Sequence, residues 1–210
     1  MKAGVSHAAS VILSPTSRQT GGAYSVPTTY EWYELVEAAA PLEQGDFLDG
    51  CPAFIPNYAS IAWDQLPAQG AEIHLRGRVL KYNVIVLSQS CDLADGDLDN
   101  VVVCPHWDLE QMYATGFKRD RIPYVQKGYM PAYHMLQACN LQPKTQSVHI
   151  VDFGQAYSMP YEYLRQFVHD HGERLRLNPP YREHLSQAYA RYFMRVGLPQ
   201  GITLDKPAKK

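Results

Sequence analysis

Arg76, Arg78, Lys81 and His106 are the residues whose types best suit a reaction. Metal-free cleavage of RNA needs a base for the 2′-hydroxyl, an acid for the leaving oxygen and cations on the phosphate. Arginine and histidine can supply all three. In that reading Arg76 or Arg78 holds the phosphate and His106 moves the proton, with no metal and no cofactor. The groups can meet only if the segments that carry them are neighbouring strands. The plainer account makes them exposed polar residues at strand ends.

A second cluster is Lys118, Arg119, Arg121 and Lys127, interleaved with Phe117, Tyr124 and Tyr129. Residues 111–128 hold four basic residues and one Asp, a local charge of +3. A basic loop with aromatics suits single-stranded nucleic acid, through phosphate contact and stacking. Lys81, Lys118, Arg119, Arg121, Tyr124 and Lys127 are therefore the expected nucleic-acid contacts. Residues 89–110 instead carry six carboxylates and no Lys or Arg, and could pair with the basic loop within the chain.

The pentapeptide Ser88-Gln89-Ser90-Cys91-Asp92 follows an apolar run. Cys91 could act as a nucleophile with His106 as base, although Asp92 beside it would raise the thiol pKa. A turn in which Ser88 and Ser90 bond main chain is the simpler reading. Cys104 and His106 would share one face of a strand, but their spacing matches no common zinc signature, so no metal is expected. His169 and His171 lie where a helix should end and could meet its last carbonyls.

These residues need elements to position them. Thr28 and Glu31 have capping-box spacing, and Trp32, Leu35, Val36 and Ala39 recur at helical intervals, which predicts a helix ended by Pro41. FLDGCPAFI, from Phe47, predicts a strand with a bulge or turn at Gly50. Residues 56–71 read as a long loop. HLRGRVLKY looks like a strand edge, and YNVIVLS (82–88) like a strand covered on both faces. An acidic turn with Asp95-Gly96 leads to the strand NVVVC (100–104), whose ladder Pro105 should end. DLEQMYATG suits a short helix stopped at Gly116, KRDRIPYVQKGYMP a loop, AYHMLQAC a strand or short helix, and VHIVDF a strand turning at Gly154. Two helices follow. One runs from near Pro160 to Gly172. The other runs from about Pro180 to Val196, with an apolar stripe through Leu185, Ala188, Tyr189, Tyr192 and Phe193 and a polar face through Glu183, Gln187, Arg191 and Arg195. Gly197 and Pro199 stop the latter. Its stripe suits packing within the chain, or else a dimer seam.

The 210 residues are 46% hydrophobic and 19% charged, enough to bury a core. A net charge of -2 leaves no global basic field for nucleic acid, so any such binding needs a local patch. The four cysteines (51, 91, 104, 139) form no CxxC pair, and no apolar run reaches the length of a membrane span. A cytoplasmic protein without membrane contact is expected.

Four phrases in order resemble the MazF/PemK-type toxin family. Gly45-Asp46-Phe47-Leu48 resembles its opening strand and Val84-Ile85-Val86-Leu87-Ser88 its second. Val101-Val102-Val103-Cys104-Pro105 resembles its third, and Val151-Asp152-Phe153-Gly154-Gln155-Ala156-Tyr157-Ser158 its late strand. The resemblance spans roughly residues 45–164. The chain is also similar to a group of bacterial proteins that carry SQSCDL and PYREHLSQAYARYFMRVGLP. The toxin family implies an α+β fold, a small SH3-like β-barrel, and metal-independent endoribonuclease activity. His106 stands where the family has Thr or Ser, and Arg76 and Arg78 lack its Gln-x-Gly-x-Arg-Pro setting, so the fold can carry over without the activity. The expected organisation is a flexible arm (1–28), a barrel domain (29–164) with a leading helix and an insert (108–147), two C-terminal helices packed on it (165–197) and a tail (198–210). The expected partner is single-stranded RNA. The alternative is a non-catalytic module that docks a protein partner or a second copy, in a bacterial toxin–antitoxin or defence assembly.

Overall fold

Residues 31–57, 59, 68, 69, 71, 74–96 and 98–194 are described by the computed structural model of the chain. The expected arm, the Thr28 cap, most of the 56–71 loop, Arg195 to Pro199 and the tail lie outside them.

Among the described residues there are eight strands and five α-helices. β2 (Phe47–Pro56) and β3 (Gly77–Val86) form a long antiparallel hairpin with Phe47 opposite Ile85 and Pro56 opposite Gly77. Its register slips between Leu48 and Cys51. Gly50 sits in the slip at φ +62°, a conformation that disfavours any residue with a Cβ. The bulge expected at Gly50 is thus present. The two segments HLRGRVLKY and YNVIVLS contribute to one strand, exposed in its first half and buried in its second.

β4 (Asn100–Asp108) is the hub. Asn100 to Val103 pair with β7 (Tyr157–Pro160), Val103 to Pro105 with β3, and His106 to Asp108 with β6 (His149–Asp152). Pro105 does not end the strand, contrary to expectation. Its missing N–H falls where β4 leaves β3 and takes up β6, so the loss of one donor is tolerated there. β5 (Tyr133–Leu136) pairs with β6 and settles the AYHMLQAC ambiguity as strand.

The strand order is β2-β3-β4-β6-β5, with β7 branching from β4, and every pairing is antiparallel. The fold is α+β, but among the described residues this sheet does not close. The expected barrel is therefore corrected to an open, branched sheet, because β4 divides its length among three partners. Both faces of that sheet are covered. Ile85, Cys104 and Val151 pack on one side with Leu185 of α5 (Tyr181–Phe193). Val84, Val86, Val101 and Val103 pack on the other with Leu164, Phe167 and Val168 of α4 (Tyr161–His171). Two-sided burial explains why YNVIVLS and NVVVC are apolar without alternation.

The predicted first helix is instead β1 (Tyr33–Val36), paired with β8 (Arg174–Leu177), a strand not anticipated. Tyr33 and Leu35 face Leu177 and Leu175, while Glu34 faces Arg176. YELV and RLRL share a period of two, and their pairing overrides the helical spacing of four apolar residues. Arg174 and Arg176 are buried, which is possible only because Asp46 accepts from both (Arg174 Nε at 2.8 Å) and Glu43 accepts from Arg176 at 2.8 Å.

The insert starts with α2 (Leu109–Ala114), held by a full capping box between Asp108 and Gln111 and closed near Gly116. The expected loop after it contains a 3-10 turn (Arg119–Arg121) and α3 (Ile122–Gln126), with Pro123 in its first turn. α1 (Ser90–Ala94) occupies the start of the expected acidic turn. Among the described residues no helix is long and apolar enough to cross a membrane.

Candidate nucleic-acid interface

The three residues expected to cleave RNA do not converge. Arg76 and Arg78 are exposed where β3 begins, and Lys81 is exposed opposite Pro52. Pro105 pairs with Val84, six residues beyond Arg78, or about 20 Å along the strand. His106 is fully buried. It lies two residues after Cys104 and, because the ladder continues past Pro105, faces the same core beside Phe47 (ring centroids 5.0 Å apart). Its Nδ1 is 2.7 Å from Nδ1 of His149. Burial, with His149 second, pulls its pKa down to about 3, so it is neutral. The expectation that His106 shares a pocket with the guanidinium groups and reaches a substrate is corrected accordingly.

The SQSCD segment, expected as a turn, instead leads into α1, which begins at Ser90. Ser88 Oγ accepts from the Val102 N–H at 2.9 Å and Ser90 Oγ from the Gln44 N–H at 3.2 Å. Gln89 Nε2 donates to Ser186 Oγ at 2.9 Å, tying the segment to α5. Cys91 is exposed, its thiol 3.4 Å from the Asp92 carboxylate. Cys104 donates to the Asp152 carbonyl at 3.0 Å, and His171 Nδ1 donates to the Phe167 carbonyl at 2.9 Å at the end of α4.

Lys118, Arg119, Arg121, Tyr124 and Lys127 of the basic loop all face solvent, while Val125 between them is buried. Arg119 lies 3.9 Å from the Tyr113 ring centre and makes a 3.4 Å ion pair with Glu110, the one such link between the acidic stretch and this loop among the described residues. Both partners are mostly exposed, so the pair contributes little.

Where α3 and β5 approach α5, a cleft of about 380 Å³ opens. Lys127, at the end of α3, and Arg191, on α5, both line it, together with Trp32, Tyr133, His134 and His184. Among the described residues that line it none is acidic. Gly128 holds φ +71°, and a Cβ added there would come 3.8 Å from Arg191 Nη1. The guanidinium thus lies close to the backbone beside Lys127. Trp32 stacks on Tyr181 at 3.8 Å and 12°. His134 has its Nε2 buried without a hydrogen-bond partner among the described residues. Burial, then the neighbouring His184, lower its pKa to about 4, so its ring adds no charge. The cleft offers two cationic side chains and the Trp32 ring, stacked on Tyr181, which suit phosphate and base together.

Of the expected contacts, Lys127 lines this cleft. Arg191 was visible on the polar face of the last helix, but its i+4 neighbours gave no hint of Lys127. Trp32, His134 and His184 carried no signal at all, since they come from β1's approach, β5 and α5. Comparison with known proteins finds no family model that matches the chain and no curated protein significantly similar to it.

Proposed function

We propose that the protein binds single-stranded RNA through the cleft between α3, β5 and α5. The observation that carries this reading is that Lys127 and Arg191 line one cleft, with no carboxylate among the described residues that line it, and that Trp32, stacked on Tyr181, lines it too. Phosphate would sit between the two cations, and an unstacked base would extend the aromatic stack. Lys118, Arg121 and Tyr124 would lead the strand away along the exposed loop. Binding is favoured over metal-free cutting because His106 is sealed in the core, distant along the sheet from Arg76 and Arg78. A remote relation to the MazF/PemK-type toxins belongs to the same proposal. Its support is that the four phrases fall in order along the sheet, at the start of β2, the end of β3, in the body of β4 and across β6–β7.

The test is fluorescence anisotropy of a labelled oligouridylate with the full chain in EDTA, from low to moderate salt. Affinity should drop steeply as salt rises, and the RNA should remain intact. A salt-independent or absent signal removes the proposal. Cutting that disappears in His106→Ala would restore the catalytic reading.

A further inference from the structure

Away from the residues of the cationic cleft, the outer half of the β2–β3 hairpin borders a hollow of about 620 Å³. Phe54, Ile55, Val79, Met159 and Tyr163 line it, with prolines between them. Phe54 and Val79 are 52% and 64% exposed, a concentration of large apolar surface that folding leaves uncovered. Phe54 is nonetheless held in place. A Cβ at Gly77 would come within 2.5 Å of its Cζ, so the ring lies directly across that glycine. A fixed aromatic loses little rotamer freedom when a ligand covers it.

A second hollow of about 400 Å³ shares Ile55 and Pro56 with it and is bordered by Arg76 and Arg78. Both guanidinium groups are exposed, and neither has an ion-pair or hydrogen-bond partner among the described residues. The combined groove is apolar for most of its length and cationic at one end.

We propose that this groove docks an extended segment of a partner protein, apolar in its body and carrying carboxylates at one end. Charge complementarity selects the acidic end, since two guanidinium groups without a partner among the described residues favour carboxylates. The edge of β2 argues against a second copy pairing strand to strand. Pro52 and Pro56 cannot donate from that edge, and the Pro52 carbonyl already accepts from Tyr163 Oη at 3.1 Å. Two copies meeting face to face would also bring four exposed arginines together. Recognition therefore runs through side chains seated in the groove.

The experiment pans the full chain against a random dodecapeptide phage library and measures the selected peptides, as synthetic fluorescent probes, by polarisation. Selected peptides should combine aromatic or aliphatic residues with Asp or Glu at one end. Arg76→Glu/Arg78→Glu and Val79→Glu should each weaken binding at least tenfold, whereas Arg191→Glu leaves it unchanged. Val79→Glu is a surface change that spares the Phe54–Gly77 contact, so the fold is preserved. Four results would overturn the proposal. One is a library without an apolar–acidic consensus, and another is affinity indifferent to the groove variants. A third is self-association in sedimentation that Val79→Glu abolishes. The last is loss of oligouridylate binding, with no peptide selected, in Arg76→Glu/Arg78→Glu.

Discussion

The imidazoles of His106 and His149 meet between β4 and β6, Nδ1 to Nδ1 at 2.7 Å, inside the core. One ring donates and the other accepts, so a proton added at the accepting Nδ1 would break the bond, and a second proton on either ring would charge a buried group. Burial, with His149 beside it, holds His106 at about 3. Burial with His184 nearby holds His134 near 4. Burial lowers His149 too, against the opposing pull of Asp108 and Asp49. In the unfolded chain such rings titrate near about 6.5. Below that pH the unfolded state takes up protons that the native state refuses. Stability should therefore fall as pH drops from about 6.5 towards 4 and 3, by up to about 1.4 kcal/mol per pH unit for each ring. Urea midpoints at pH 7, 6 and 5 measure this, and His106→Leu should flatten the decline. A midpoint constant from pH 7 to 5 would mean that the native rings accept protons.

Asp46 should be among the least replaceable polar residues. It is fully buried, accepts from Arg174 and Arg176, and takes the Glu43 N–H at 3.0 Å. Asp46→Ala leaves two buried guanidinium groups without their main counter-charge and should cost about 3–5 kcal/mol. That is a large share of the stability of a domain this size. Asp46→Leu combined with Arg176→Leu should be less damaging than the two single changes added together. Additive urea-unfolding energies would show that the carboxylate and guanidinium do not act as a pair.

In the cationic cleft, Lys127→Glu and Arg191→Glu should each weaken oligouridylate binding and reduce the slope of log affinity against log salt by about 0.7, the share of one single-strand phosphate contact. Trp32→Ala should weaken binding by about 1–3 kcal/mol without changing the slope, because stacking is uncharged. Anisotropy titrations separate the two effects. Variants with parental affinity and slope would place the RNA elsewhere.

Thiol chemistry should single out one cysteine of the four. Cys91 is exposed, whereas Cys51, Cys104 and Cys139 are buried. Burial also pushes the Cys51 thiol up to about 12 and the Cys104 thiol higher still, which starves both of thiolate. Iodoacetamide at pH 8 should add one label to the native chain, at Cys91, and four in urea. Peptide mass spectrometry reads the positions, and native labelling at Cys104 would contradict the packing described.

The elements legible in the sequence are those with one dominant local signal. Gly50 marked the bulge of β2, and β-branched runs marked the inner half of β3 and the first half of β4. Gly116 marked the end of α2, and the Leu185 stripe marked α5. What was not legible depends on partners distant in the chain. The strand RLRL looks unsuited to burial until Asp46, some 130 residues earlier, supplies its counter-charge. Trp32, Leu35 and Val36 fit a helix until β8 pairs with YELV. Pro105 suggested a break, which would have left His106 outside, but a change of strand partner absorbs it. The cleft has no spacing signature because residues 32, 127, 134, 184 and 191 come from separate elements.

The division of β4 among β3, β6 and β7 also orders events during synthesis. When Asp108 leaves the ribosome, β3 can already pair with part of the hub, since both are made early. The remaining length waits for His149 to Pro160, some forty to fifty residues later. Until then a nascent chain presents a bare apolar edge, a substrate for chaperones or for sticking to its neighbours, and only translation through Pro160 can shield it.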